Sequence, residues 1–265
     1  MPTLSLSPSL TLHYLDIHPQ GVPPVLLIHG LGATGISWEM QFPPLQAAGY
    51  RVLAPDMRGF GQSTYPGQMS IALMAADCAA LLQSLTDRPA HVAGISMGGT
   101  IAQQLALDFP DLVDRLVLVN TFAQLKPKSL GVRLYFMLRM VLVHTLGLET
   151  QGKAVAQRIF PHPDQGQLRQ QLVDQIVQAN PRAYRAAMRA LVRFDVVSRL
   201  NEIRSPTLVV TGEEDTTVPP ENQRQLVEGI PKARQITFPG AGHAVIAEQP
   251  EAFNAALLGF LSGED

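Results

Sequence analysis

The sequence predicts an α/β protein: a mostly parallel eight-stranded sheet flanked by helices, with a helical cap inserted between two of its strands. Three observations predict it. Short Val/Ile/Leu runs bounded by turn residues alternate with longer helical patterns, as expected where strands are buried on both faces and covered by helices. The alternation stops between Phe122 and Leu200, where helical periodicity continues and no strand pattern is found. A chain of 265 residues with 46% hydrophobic and 16% charged residues is long enough to bury a sizeable core and too apolar for disorder.

The elements follow in order. Residues 3–6 and 10–15 read as an antiparallel hairpin that starts the sheet. Strands are then expected at 25–28, 51–54, 91–95, 116–120, 207–211 and 235–238. Helical patterns cover 37–48, 71–84, 97–109, 220–229 and 250–261. The chain therefore divides into a core of residues 1–121 and 201–265 and a cap of residues 122–200. Pro127, Pro161, Pro163 and Pro181 are expected to separate the helices of the cap.

Composition excludes several functions. The single cysteine, Cys78, closes no intramolecular disulfide and makes no Cys-rich metal site, and no cofactor or metal is expected. With 20 Lys plus Arg against 22 Asp plus Glu, a net charge of −2 argues against a nucleic-acid partner held by phosphate neutralisation. The balance is uneven along the chain: residues 122–200 hold 12 basic and 4 acidic side chains, the remainder 8 and 18. That division suits either attraction between cap and core, a positive rim over the site, or a solvated basic helix face. Residues 132–148 are the most apolar stretch, yet Arg133, Arg139 and His144 within it argue against a membrane span. Residues 1–12 show no basic start and no continuous apolar run, so no secretory signal is expected and the compartment is read as cytoplasmic.

The strand expected at 91–95 runs into Gly94-Ile95-Ser96-Met97-Gly98 and then a helical pattern, the setting in which G-x-S-x-G forms a nucleophile elbow. Side chains at 94 and 98 would collide across so tight a turn, so glycine is needed there. A serine hydroxyl is a poor nucleophile at neutral pH and needs a base within reach and a group to orient that base. Asp215 follows the strand at 207–211, and His243 follows the strand ending near 238, in a Gly-rich loop. Glu213 and Glu214 are rivals of Asp215 for orienting the imidazole. His13, His18, His144 and His162 lie in poor contexts for a base, and His91 begins a strand.

The order Ser96, Asp215, His243 resembles that of the α/β-hydrolase fold superfamily, and the resemblance covers nearly the whole chain. His29-Gly30-Leu31-Gly32 resembles the family's H-G-x-G oxyanion loop, and Asp56-Met57-Arg58-Gly59-Phe60-Gly61-Gln62-Ser63 its D-x-R-G-x-G-x-S loop. The resemblance implies an oxyanion hole made by the backbone N–H groups of Leu31 and Met97. It also implies structural roles for His29, Asp56, Arg58 and Ser63. Dehalogenases and epoxide hydrolases of the family carry Asp where this chain has Ser96. Meta-cleavage hydrolases carry Gly-Pro-Gly and a tryptophan where this chain has Ala33-Thr34-Gly35 and Ala244-Val245. Residues 94–99, 116–121 and Glu248-Gln249-Pro250 are closer to the carboxylesterase and 3-oxoadipate enol-lactonase group.

The expected function is thus a serine carboxylesterase acting on small to medium-chain esters through an acyl-enzyme on Ser96. A lactone or enol-lactone hydrolase and a hydrolase-fold ligand-binding protein with marginal catalysis are the alternatives. Trp38, Phe136 and Met140 are expected to line the substrate pocket; the apolar run around 134–143 would serve equally for packing between cap helices. The expected partner is a small-molecule ester, and the chain is expected to be a monomer or homodimer.

Overall fold

The structure is a computed structural model that describes residues 2–125 and 147–263. Eight strands form one open sheet: β1 (Thr3–Ser7), β2 (Leu10–Ile17), β3 (Pro24–Ile28), β4 (Arg51–Pro55), β5 (Ala90–Ile95), β6 (Val113–Val119), β7 (Thr207–Gly212) and β8 (Ala233–Phe238). Their order is β1-β2-β4-β3-β5-β6-β7-β8, antiparallel for β1-β2 and β2-β4 and parallel for every later pair. All eight lie where the Val/Ile/Leu runs place them.

The continuous apolar runs have a direct cause. Alternate residues of the inner strands feed two separate cores, one on each face of the sheet. Leu26, Ile28, Val92, Leu116 and Leu118 enter the first, while Val25, Leu27, Ala93, Val117 and Val119 enter the second. A strand with both faces covered has no polar side to alternate with.

The described residues include nine α-helices: α1 (Phe42–Ala47), α2 (Ile71–Leu85), α3 (Met97–Asp108), α4 (Gly147–Ile159), α5 (Gly166–Gln178), α6 (Pro181–Arg193), α7 (Pro220–Gly229), α8 (Val245–Glu248) and α9 (Pro250–Ser262). The single helix expected over 37–48 is divided into a 3-10 segment, Gly35–Gln41, and α1. Pro43 and Pro44 lack the N–H that a helix interior needs and fit only a first turn, so the α-helix begins at Phe42. Ser70 caps α2, its hydroxyl accepting the N–H of Leu73 at 3.1 Å.

Helices α4 to α6 lie between β6 and β7 in the chain. Pro163 opens a short 3-10 turn before α5, and Pro181 is the first residue of α6, where Asn180 accepts the N–H groups of Arg182 and Ala183. These helices pack closely on the sheet's loops. A methyl group on Gly32 would meet Ile176 and Tyr184, and one on Gly59 would meet Ala183. Among the described residues no helix is long and apolar enough to cross a membrane. The apolar stretch at 132–148 lies almost wholly outside the described residues, as do Phe136 and Met140.

Candidate active site

Ser96 stands between β5 and α3 with φ +54° and ψ −115°, a conformation that costs a non-glycine residue about 1–3 kcal/mol and persists only where the surroundings enforce it. The enforcement is visible. A side chain on Gly94 would strike the carbonyl of Gly98, and one on Gly98 would strike the carbonyl of Ile28. The two glycines of the motif thus let β5, α3 and β3 meet at backbone distance. The Ser96 N–H is bound to the carbonyl of Val119 at 2.9 Å, which ties the turn to β6. Its side chain lines a cavity at the carboxyl edge of the sheet.

His243 follows β8 and lines the same cavity. Its Nδ1 lies 2.8 Å from Oδ2 of Asp215, and both side chains are buried. The other carboxylate oxygen of Asp215, Oδ1, accepts the N–H groups of Thr217 (2.7 Å) and Val218 (3.0 Å). Asp215 is therefore fixed by its own loop and has one oxygen left for the imidazole. The rival acids point elsewhere: Glu213 accepts the N–H of Gly240, and Glu214 lies 3.8 Å from His162.

The Gly30–Leu31 segment forms a wall of the cavity beside Ser96. Leu31 is the second residue of the turn that the Ala33 N–H closes on the Gly30 carbonyl, and Met97 opens α3, where the first N–H groups have no intrahelical acceptor. His29 is wholly buried. Its Nδ1 lies 2.7 Å from the Gly30 carbonyl and its Nε2 accepts the N–H of Met57 at 2.9 Å, so the ring spans the two loops; burial holds its pKa below the usual imidazole range. Asp56 accepts the N–H groups of Gly35 and Gln62 and pairs with His13 at 2.8 Å. Arg58 makes a two-pronged bond to Asp77 at 2.6 Å, and burial pushes the Asp77 carboxyl upward against the guanidinium's pull. The Asp56 and Arg58 side chains are thus tied to neighbouring loops, to β2 and to α2, and neither lines the cavity.

The cavity measures about 520 Å³. Leu125, Val155, Phe160, Leu168, Leu172, Met188 and Leu191 give it an apolar wall, with Thr216, Thr217, Asn222 and Arg158 on the polar side. The sequence reading missed the contribution of α5. Leu168 and Leu172, Gln171 and Gln175 are each four residues apart, a spacing that puts both pairs on one helical side, and all four line the cavity. Trp38 requires a correction. It has no solvent exposure and packs on Phe253 in the second core, with ring centroids 6.2 Å apart. The 3-10 segment turns Trp38 inward and gives Ile36, Ser37, Glu39 and Met40 to the cavity instead. Phe136 and Met140 are not among the described residues.

Comparison with known proteins agrees with this architecture. Residues 23–250 match the alpha/beta hydrolase fold family. A protein named "Putative carbamate hydrolase RutD" from Caulobacter sp. (strain K31) is 34% identical over 249 residues, 91% of each chain. The enol-lactonase from Burkholderia xenovorans LB400 superposes with a TM-score of 0.88 at 27% identity, covering 98% of this chain and 100% of its own. A thermophilic esterase from Thermogutta terrifontis gives 0.85 at 28% identity, covering 98% and 96%. The chain is a hydrolase that belongs to the alpha/beta hydrolase fold family.

Proposed function

We propose that the protein is a serine carboxylesterase in which Ser96 is the nucleophile, His243 the general base and Asp215 the group that orients the imidazole. The observation that carries this reading is the buried Asp215–His243 pair opening onto the same cavity as a serine held at positive φ. Ser96 Oγ attacks the ester carbonyl carbon while Nε2 of His243 takes its proton. The backbone N–H groups of Leu31 and Met97 receive the developing oxyanion. The imidazolium then returns the proton to the departing alcohol, leaving an acyl-Ser96. Water, deprotonated by His243, releases the acid and restores the serine.

The apolar wall and a volume of about 520 Å³ suit an acyl or alcohol group of small to medium length. A lactone is a cyclic ester and would be opened by the same steps; the likeness to the Burkholderia enol-lactonase makes it the second substrate class. Residues 122–200, which include α4 to α6, act as a cap that supplies Leu168, Leu172, Met188 and Leu191 to the apolar wall. The test is hydrolysis of p-nitrophenyl butyrate, with a lactone and an aryl carbamate beside it, by the wild type and Ser96→Ala. Loss of turnover to background in Ser96→Ala is expected. Full activity in that variant, purified and folded, would refute the mechanism, and turnover of the lactone or carbamate alone would reassign the substrate.

A further inference from the structure

The loop that carries His243 runs Gly240-Ala241-Gly242-His243, and glycine gives a backbone little stiffness of its own. Two side chains outside the cavity lining hold it. Asn120 directly follows β6; it is wholly buried, has φ +44°, a value Asn tolerates better than most residues, and its N–H is bound to Val210 at 2.9 Å. Its Nδ2 donates to the carbonyl of Gly242 at 3.0 Å and to the carbonyl of His243 itself at 2.8 Å. Its Oδ1 accepts the N–H of Gly212, the last residue of β7, at 2.8 Å. One amide thus joins the ends of β6 and β7, three residues before Asp215, to the loop after β8.

Glu248 grips the opposite side. It ends α8, and its Oε2 accepts the N–H of Gly242 while Oε1 accepts the N–H of Ala244 at 3.1 Å. The carbonyls of Gly242 and His243 and the amides of Gly242 and Ala244 are therefore all taken by two side chains. With its main chain held on both sides, the imidazole keeps only its own side-chain rotations, and Asp215 fixes those.

We propose that Asn120 and Glu248 are positioning residues that form a two-sided clamp on the backbone of His243 and so set the reach of its imidazole toward Ser96. The proposal rests on the esterase reading above. Proton transfer is sensitive to ångström-scale misplacement of the base, so slackening the loop lowers the chemical step more than substrate binding. Asparagine suits the first position because it offers two donors and one acceptor from one planar group; glutamate suits the second because both its oxygens accept.

The experiment compares wild type, Glu248→Gln, Glu248→Ala, Asn120→Asp and the Asn120→Asp/Glu248→Ala double variant. Each is titrated with a fluorophosphonate that labels Ser96, then assayed on p-nitrophenyl butyrate per labelled site. Glu248→Gln keeps one acceptor, so its kcat is expected between that of wild type and that of Glu248→Ala, which should fall about 10-fold with KM within about two-fold. Asn120→Asp keeps the acceptor for Gly212 but turns a carboxyl oxygen toward two carbonyls, and a similar loss is expected. Because both residues hold one loop, the double variant should lose far less than the product of the single losses. If Asn120→Asp does not fold, the graded Glu248 series decides. Unchanged kcat per labelled site in Glu248→Ala would overturn the clamp alone, even if its melting temperature fell. A wild type that is neither labelled nor active would overturn the esterase reading and the clamp with it.

Discussion

Thr34 donates its backbone N–H to the side-chain carbonyl of Gln175 at 3.1 Å, a bond across 141 residues that joins the loop beside Ser96 to helix α5. Gln175 also lines the cavity, so one side chain both braces the loop that carries Leu31 and borders the proposed substrate site. Removing the acceptor leaves a part-buried donor unpaired, worth about 1–3 kcal/mol. Gln175→Ala is expected to lower kcat/KM for p-nitrophenyl butyrate about 5- to 10-fold. Gln175→Glu, which keeps an acceptor for Thr34, should retain most of the rate; equal losses in both would show that the bond to Thr34 is not the cause.

Asp215 is separated from its neighbours Glu213 and Glu214 by what each one binds. Only Asp215 meets Nδ1 of His243, and the loop amides of Thr217 and Val218 fix its second oxygen. An Asn at this position would present either a donor or an acceptor to the imidazole and favour the wrong tautomer. Asp215→Asn is therefore expected to lower kcat by about 10³–10⁴-fold, while Glu213→Gln and Glu214→Gln stay within about two-fold. A large loss in either glutamate variant would reassign the orienting acid.

The glycines of the elbow differ from those of exposed turns in what surrounds them. A Cβ on Gly98 would fall on the carbonyl of Ile28, which is backbone and has no room to yield. Gly49 has φ +89° but open space around the missing Cβ, so Ala there meets only the left-handed backbone penalty of about 1–2 kcal/mol. Gly49→Ala is expected to fold with a modestly lower urea midpoint. Gly98→Ala should lose more than 3 kcal/mol, on the order of an overpacked core, or fail to accumulate as folded protein. Similar stabilities for the two would mean that the turn can open.

How far the sequence could be read follows from these residues. Strands buried on both faces announce themselves as apolar runs, and local pattern sufficed for them; Ser96, Asp215 and His243 sit at motif positions bounded by glycine and proline, which is what singles them out as the proposed triad. Asn120 and Gln175 act on backbone atoms distant in the chain, and Glu248 on amides four and six residues before it, so nothing local to any of the three announces its partners, although Asn120 and Glu248 fall in stretches that resemble the carboxylesterase group. Trp38 was misplaced for a related reason. A lone aromatic near a site motif suggests a substrate wall, but the proline pair after it converts the expected helix into a 3-10 turn and changes which side faces inward. Trp38→Ala should accordingly cost about 3–5 kcal/mol of stability with KM unchanged, while Met40→Ala should shift KM for a longer p-nitrophenyl ester and leave stability nearly as it was. The reverse pattern would return Trp38 to the pocket.

Acid sensitivity should begin at His29 rather than at the carboxylates. Its Nε2 accepts the Met57 N–H, so protonating that nitrogen sets two donors against each other at a wholly buried ring, and burial holds the group below the usual imidazole range. His91 is lowered by burial as well, with Asp114 opposing the shift. For both, the unfolded chain binds a proton near pH 6.5 while the folded chain does not. Stability is then complete above that pH and is lost as pH falls toward the folded-state value, at up to about 1.4 kcal/mol per pH unit for each imidazole. Glu248 and Asp77 act in the opposite sense. Burial raises both, so the folded protein takes up their protons first and gains stability as pH falls through their range. The urea midpoint should therefore drop as pH falls through about 6.5, and the two carboxyls oppose that loss at lower pH. His29→Gln, which removes one titrating ring, should lower the midpoint at pH 7 but reduce its slope with pH; an unaltered slope would exclude His29 as the source.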